Sequence, residues 1–118
     1  MSYTFKNKTP NPHFPTIADV TPQEILENSK ELTLIDVRED SEYTGELGHA
    51  PGTSLINLSK IPQALATIPK EKTIVFLCRS GSRSAQAASF AKQQGVENVY
   101  NMVGGMLLWN QLQLPIEK

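Results

Sequence analysis

The sequence predicts an α/β protein with a mainly parallel sheet and helices on both of its faces. Three observations carry this expectation. Short apolar runs alternate with helix-patterned segments from Ile17 to Leu114. Thr73-Ile74-Val75-Phe76-Leu77 is β-branched and aromatic without alternation, as a strand covered on both faces should be. Ala85, Ala87, Ala88 and Ala91 give the segment that follows a small-residue helical face able to lie close to a sheet. Right-handed crossovers are the expected connections, and 118 residues suit one domain.

In chain order, Pro10, Pro12 and Pro15 deny residues 1–16 a helix or a central strand, so an extended arm is expected ahead of a domain over 17–118. Thr21-Pro22-Gln23-Glu24 combines a capping hydroxyl, a proline in the first helical position and a glutamate at the third, which starts a helix through Ile25 and Leu26. Leu32, Leu34, Ile35 and Val37 form a short run broken by Asp36 and read as a buried strand. Ser41 to Leu47 is a weak helical turn, and Gly48-His49-Ala50-Pro51-Gly52 a tight loop. Ser54 to Asn57 is a short strand, and Ile61, Leu65 and Ile68 share a helical face ended by Pro69. Thr73 to Leu77 belongs in the centre of the sheet; the alanine-rich helix behind it stops at Gly95. Val96 to Met102 is the last strand. Gly104-Gly105 then leads into an apolar helix of Met106, Leu107, Leu108 and Trp109, expected in the core and ended by Pro115.

Charge narrows the function. Eleven Lys and Arg stand against twelve Asp and Glu with no basic stripe, which argues against nucleic acid as a partner. The polar, proline-punctuated start and the lack of a long apolar run point to a cytoplasmic protein without membrane contact. One cysteine excludes an internal disulfide, and His13 and His49 lack metal-ligand spacing, so no metal site is expected.

Chemistry concentrates at Cys78, directly after the strongest strand. Open parallel sheets bind ligands beyond the carboxyl ends of their strands. Arg79-Ser80-Gly81-Ser82-Arg83-Ser84 forms a short loop into the next helix, whose backbone N–H groups and positive end make an anion cradle. A thiolate there is favoured by those groups and by Arg79 and Arg83, which makes the sulfur nucleophilic at neutral pH. Free cysteines are often buried small hydrophobes, but one followed by a polar, basic loop is not expected to be sealed in core. His49, inside its Gly-Pro turn, is expected to be structural. Asp36, Arg38 and Glu42 are expected to tie a loop together.

Cys78-Arg79-Ser80-Gly81-Ser82-Arg83-Ser84 resembles the active-site loop of rhodanese-like sulfurtransferases. Leu34-Ile35-Asp36-Val37-Arg38, Gly48-His49-Ala50-Pro51-Gly52, and Gly104-Gly105 with Trp109 resemble the family's other landmarks, in order. Ala50 and Thr53 depart from the family's common Gly-His-Ile-Pro-Gly-Ala, and Gly45 stands as an insertion ahead of Gly48. The resemblance implies a five-stranded parallel sheet flanked by helices. It implies double displacement through a Cys78 persulfide that requires no metal or organic cofactor, with Arg79, Ser80, Gly81, Ser82 and Arg83 as the substrate-binding loop. Sulfur would pass from a small donor such as thiosulfate to a thiol or cyanide acceptor, a thiol-bearing protein being a further acceptor class. The alternative is a rhodanese-like regulatory or sulfur-carrier module that binds a partner protein and turns over small donors slowly. Related phosphatases place five residues between cysteine and arginine; here four separate Cys78 from Arg83, a poor fit for phosphate.

Overall fold

A computed structural model describes residues 3–118. Met1 and Ser2, the start of the expected arm, lie outside the described residues. The strands are β1 (Lys8–Pro10), β2 (Ala18–Val20), β3 (Leu32–Asp36), β4 (Thr53–Leu55), β5 (Thr73–Leu77) and β6 (Val99–Met102). Between and after them come α1 (Pro22–Glu27), α2 (Asp40–Tyr43), α3 (Ile61–Ala64), α4 (Ser82–Gln93) and α5 (Gly105–Gln111).

All six strands join one sheet in the order β1-β2-β6-β5-β3-β4. Every neighbouring pair is parallel except β1 with β2. Six strands replace the five that the resemblance implied. The extra one comes from the proline-bearing arm, and it sits where a proline is tolerated, because an edge strand needs backbone pairing on one side only. β5 is fully buried and lies between β6 and β3, the central place its composition demanded.

The two sides of the sheet bury different helices. Ile35, Ile74, Phe76 and Val99 pack with Ile61, Leu65, Ala85, Ala88 and Ala91 from α3, α4 and the turn between α3 and β5. Leu32, Leu34, Val75, Leu77, Val20 and Met102 pack on the opposite side with Ile25 of α1 and with Met106 and Trp109 of α5. The alternation Ile74/Val75/Phe76/Leu77 is the period-two geometry of a strand serving two cores; each fully buried side chain of this size contributes roughly 1.5–3 kcal/mol of transfer free energy. Leu107 was expected in the core with its neighbours but is 40% exposed, because α5 presents only one face to the sheet.

The arm is tied down through Glu24. Thr21 Oγ1 accepts the Glu24 N–H at 3.4 Å, as the capping motif requires, yet the Glu24 carboxylate turns away to the arm. It accepts from Tyr3 OH at 2.6 Å and from the N–H groups of Lys6 and Asn7 at 2.7 and 3.1 Å. Burial by itself raises this carboxyl, but these hydrogen bonds outweigh it and hold Glu24 below the usual carboxylate range. The same bond, led by the Glu24 acceptor, pushes the Tyr3 phenol up to about 12. Phe5 is buried beside Tyr100, with ring centroids 4.9 Å apart.

Candidate active site

Parallel pairing brings the carboxyl ends of β2, β3, β5 and β6 to one edge of the sheet, and Cys78 follows β5 there. The loop after it turns at Gly81, whose φ of +101° belongs to the left-handed region that glycine adopts without strain. This turn brings the Gly81 N–H to 3.1 Å from Cys78 Sγ. The Ser84 hydroxyl, in the first turn of α4, approaches the same sulfur at 3.2 Å. Cys78 is 0% exposed, contrary to the expectation drawn from its polar loop. The polar side chains of Arg79, Ser80 and Ser82 face outward while the loop backbone closes over the sulfur.

Ser84 was not among the expected site residues. Its signal was spacing: it stands four and seven residues before Ala88 and Ala91, on the buried side of α4. Ser84 Oγ also lies within hydrogen-bond reach of Asn101 Oδ1. Asn101 Nδ2 donates to Asp19 Oδ1 at 2.9 Å, and Asn11 Nδ2 reaches the same oxygen at 2.8 Å. Asn101 and Asp19 were missed as well, although each is a lone polar residue inside an otherwise apolar strand.

The two loop arginines take different places. Arg83 makes a two-pronged pair with Glu42 of α2, both N to O distances being 2.8 Å. Sequence grouped Glu42 with Asp36 and Arg38; the structure assigns its carboxylate to the cysteine loop instead. The Arg83 hydrogen bonds hold the Glu42 carboxyl down at about 2, against an ordinary value of 4.5. A folded-state value below the unfolded one adds stability above about pH 4.5, and this is lost as pH falls through about 2. The pair is partly exposed, so the contribution is on the order of 1 kcal/mol. Glu42→Gln is therefore expected to lower the urea midpoint at neutral pH, and the gap from wild type should close near pH 2.

Arg38 is held deeper. Its guanidinium meets both Asp36 carboxylate oxygens, with the closest contact at 2.9 Å, and also donates to the carbonyls of Glu42 and Gly48. The expected loop tie is present, and it reaches the 48–52 turn. His49 stacks on Tyr43 with ring centroids 3.7 Å apart, and its backbone pairs with Glu117. Arg79 is exposed on the rim of a cleft of about 230 Å³ shared with Arg38, Glu42 and Glu46. A larger cleft of about 570 Å³ lies on the other side of the loop, between Ser80, Gly81 and Ser82 and arm residues Pro12, His13 and Phe14.

Gly104-Gly105 does what close approach requires. The N–H groups of Met106 and Leu107 donate to the carbonyls of Cys78 and Arg79 at 2.9 and 3.0 Å. A Cβ on Gly105 would stand 2.3 Å from Arg79 O, and the backbone φ there is +58°. Gly105→Ala is expected to cost at least about 1–3 kcal/mol, since it strains this backbone as well as crowding it. Thermal unfolding checks this, and loosening of the cysteine loop should accompany the loss as faster alkylation of Cys78.

Among the described residues no cluster of three or more His, Cys, Asp or Glu is placed to hold a metal ion, and no helix is long and apolar enough to cross a membrane.

The profile of the rhodanese-like domain matches residues 21–112. The chain belongs to the rhodanese-like domain family. A putative sulfurtransferase, YtwF of Bacillus subtilis, is 41% identical over 87 residues, covering 74% of this chain and 82% of the relative. A sulfurtransferase of Allochromatium vinosum is 35% identical over 91 residues, covering 77% and 83%. A rhodanese-related protein of Thermoplasma volcanium superposes with a TM-score of 0.75 at 28% identity, covering 82% of this chain and 94% of that one. The rhodanese-like fold implied by the sequence motifs is thus the observed one, with β1 added at its edge.

Proposed function

We propose that this rhodanese-like protein is a sulfurtransferase that carries sulfane sulfur on Cys78. The relatives named as sulfurtransferases support the general activity. The observation that carries the particular reading is the sulfur itself, held at the sheet edge by the Gly81 N–H and the Ser84 hydroxyl ahead of α4. Two donors aimed at one sulfur favour negative charge there.

In the first displacement the Cys78 thiolate attacks the outer sulfur of thiosulfate. The Cys78 S–S bond forms as the donor's S–S bond breaks, and sulfite leaves with the bonding pair. In the second, a thiolate or cyanide attacks the outer persulfide sulfur and Cys78 leaves as thiolate. Arg79, Ser80, Gly81, Ser82 and Arg83 form the substrate-binding loop in this reading, their N–H groups stabilising the anion and the persulfide. Arg79 is the exposed arginine for an anionic donor, whereas Arg83 is held by Glu42. A cytoplasmic setting, where a lone cysteine stays reduced, belongs to the same reading.

Because the sulfur has no exposed surface, the turn that carries the exposed Ser80 and Ser82 must part to admit a donor. That burial also favours a second reading, a regulatory or carrier module whose loop opens on a partner protein. Intact-protein mass spectrometry after incubation with thiosulfate separates the two. Gain of one sulfur atom, removed by cyanide or a thiol, is the result expected of the enzyme. No adduct with thiosulfate or another sulfane donor, while an alkylating reagent still modifies Cys78, overturns it in favour of the module.

A further inference from the structure

The geometry points to Asn101 as a positioning residue that competes with the Cys78 sulfur for the single proton of the Ser84 hydroxyl. This inference rests on the reading of Cys78 as the reactive group and deepens it.

A serine hydroxyl has one proton to give. Ser84 Oγ lies within hydrogen-bond reach of two acceptors, Cys78 Sγ and Asn101 Oδ1. All three residues are buried, Asn101 at 1% exposure. The amide of Asn101 is not free to turn over either. Its nitrogen donates to Asp19 Oδ1, and a carboxylate only accepts, so the Asn101 oxygen is left facing Ser84. Asp19 is set in turn by Asn11, whose own oxygen accepts the N–H groups of His13 and Phe14 at 2.9 Å each. The chain of orientation runs from the arm backbone to the sulfur.

Two arrangements follow. With Cys78 as a thiol, its S–H donates to Ser84 Oγ and Ser84 donates to Asn101, so every acceptor is served. When the sulfur gives its proton to solvent, the Ser84 hydroxyl turns to the thiolate and Asn101 Oδ1 is left without it. A buried acceptor stripped of its donor is costly. Asn101 therefore favours the resting thiol and opposes the charged sulfur that Gly81 and Ser84 stabilise. The N-terminal arm, through Asn11 and Asp19, keeps that opposition in place.

The test reads the thiolate-to-thiol ratio of Cys78 by thiolate absorbance across pH, with Cys78→Ser as the blank. Of the charged groups around the loop, Arg83 with Glu42, Asp36 with Arg38, and Arg79 stay unaltered in every variant, while Asp19 keeps the Asn11 amide and loses that of Asn101 in the Asn101 variants. Asn101→Leu, similar in shape but without an acceptor, is expected to raise the ratio about fivefold at a given pH, and Ser84→Ala to lower it by a similar factor. In the Ser84→Ala background Asn101→Leu should change nothing, since the competition passes through that hydroxyl. Asn101→Asp keeps an acceptor oxygen and should not raise the ratio. Should Asn101→Leu fold poorly, Asn101→Ala carries the same expectation. An unchanged or lowered ratio in Asn101→Leu and Asn101→Ala, or an equal rise without the Ser84 hydroxyl, overturns the inference. None of these readings requires sulfur transfer, so absence of a sulfur adduct would sink the proposed function and leave this result standing.

Discussion

Cys78→Ser is expected to abolish the sulfur adduct and to reduce thiosulfate turnover by on the order of 10³-fold or more, the scale of losing a covalent nucleophile. Serine retains the shape of the side chain and an acceptor for the Gly81 N–H and the Ser84 hydroxyl, so the loop has no reason to rearrange. What it lacks is a sulfur that ionises readily and forms a bond to another sulfur. Turnover measured beside thermal unfolding separates chemistry from folding. The expected pattern is lost activity with a melting temperature close to wild type. A serine variant that still accepts sulfur would remove Cys78 from the mechanism.

Arg38→Ala has the largest expected effect on stability, about 3–5 kcal/mol, because it leaves the Asp36 carboxylate buried without its cation. Asp36 is 0% exposed and Arg38 1%, so neither charge has water to fall back on. The same substitution withdraws donors from the carbonyls of Glu42 and Gly48, and so loosens α2 and the 48–52 turn together. Urea unfolding checks the magnitude. Replacing both members, Arg38→Leu with Asp36→Leu, is expected to cost less than Arg38→Ala alone, since no unpaired charge remains. A cost below about 1 kcal/mol for Arg38→Ala would mean that the pair behaves as a surface ion pair.

Much of the site's framework was legible in residue order. The position of Cys78 was legible because it follows a five-residue strand with no polar interruption and precedes a glycine-containing turn, both of them local signals. Gly104-Gly105 was legible for the same reason, as a pair of residues that lets backbones approach. Ser84, Asn101 and Asp19 were not, although Asn101 and Asp19 each stand as a polar residue in an apolar strand. Such a residue declares that it needs a partner without saying which one. The sealed sulfur was also misread, because side-chain polarity in a loop says nothing about the path of its backbone.

Residue order was enough for the succession of strands and helices from β2 onward and for the place of Cys78 after the central strand, since periodicity and turn chemistry act over a few residues. Tertiary structure decided the rest of the site. Arg83 and Glu42 are 41 residues apart in the chain, and Asn101 and Asp19 are 82 apart. They meet because β6 lies between β2 and β5, and because α2 follows β3 on the other side of β5. Which buried polar groups satisfy one another depends on which strands become neighbours, and that choice belongs to the packing of the whole sheet.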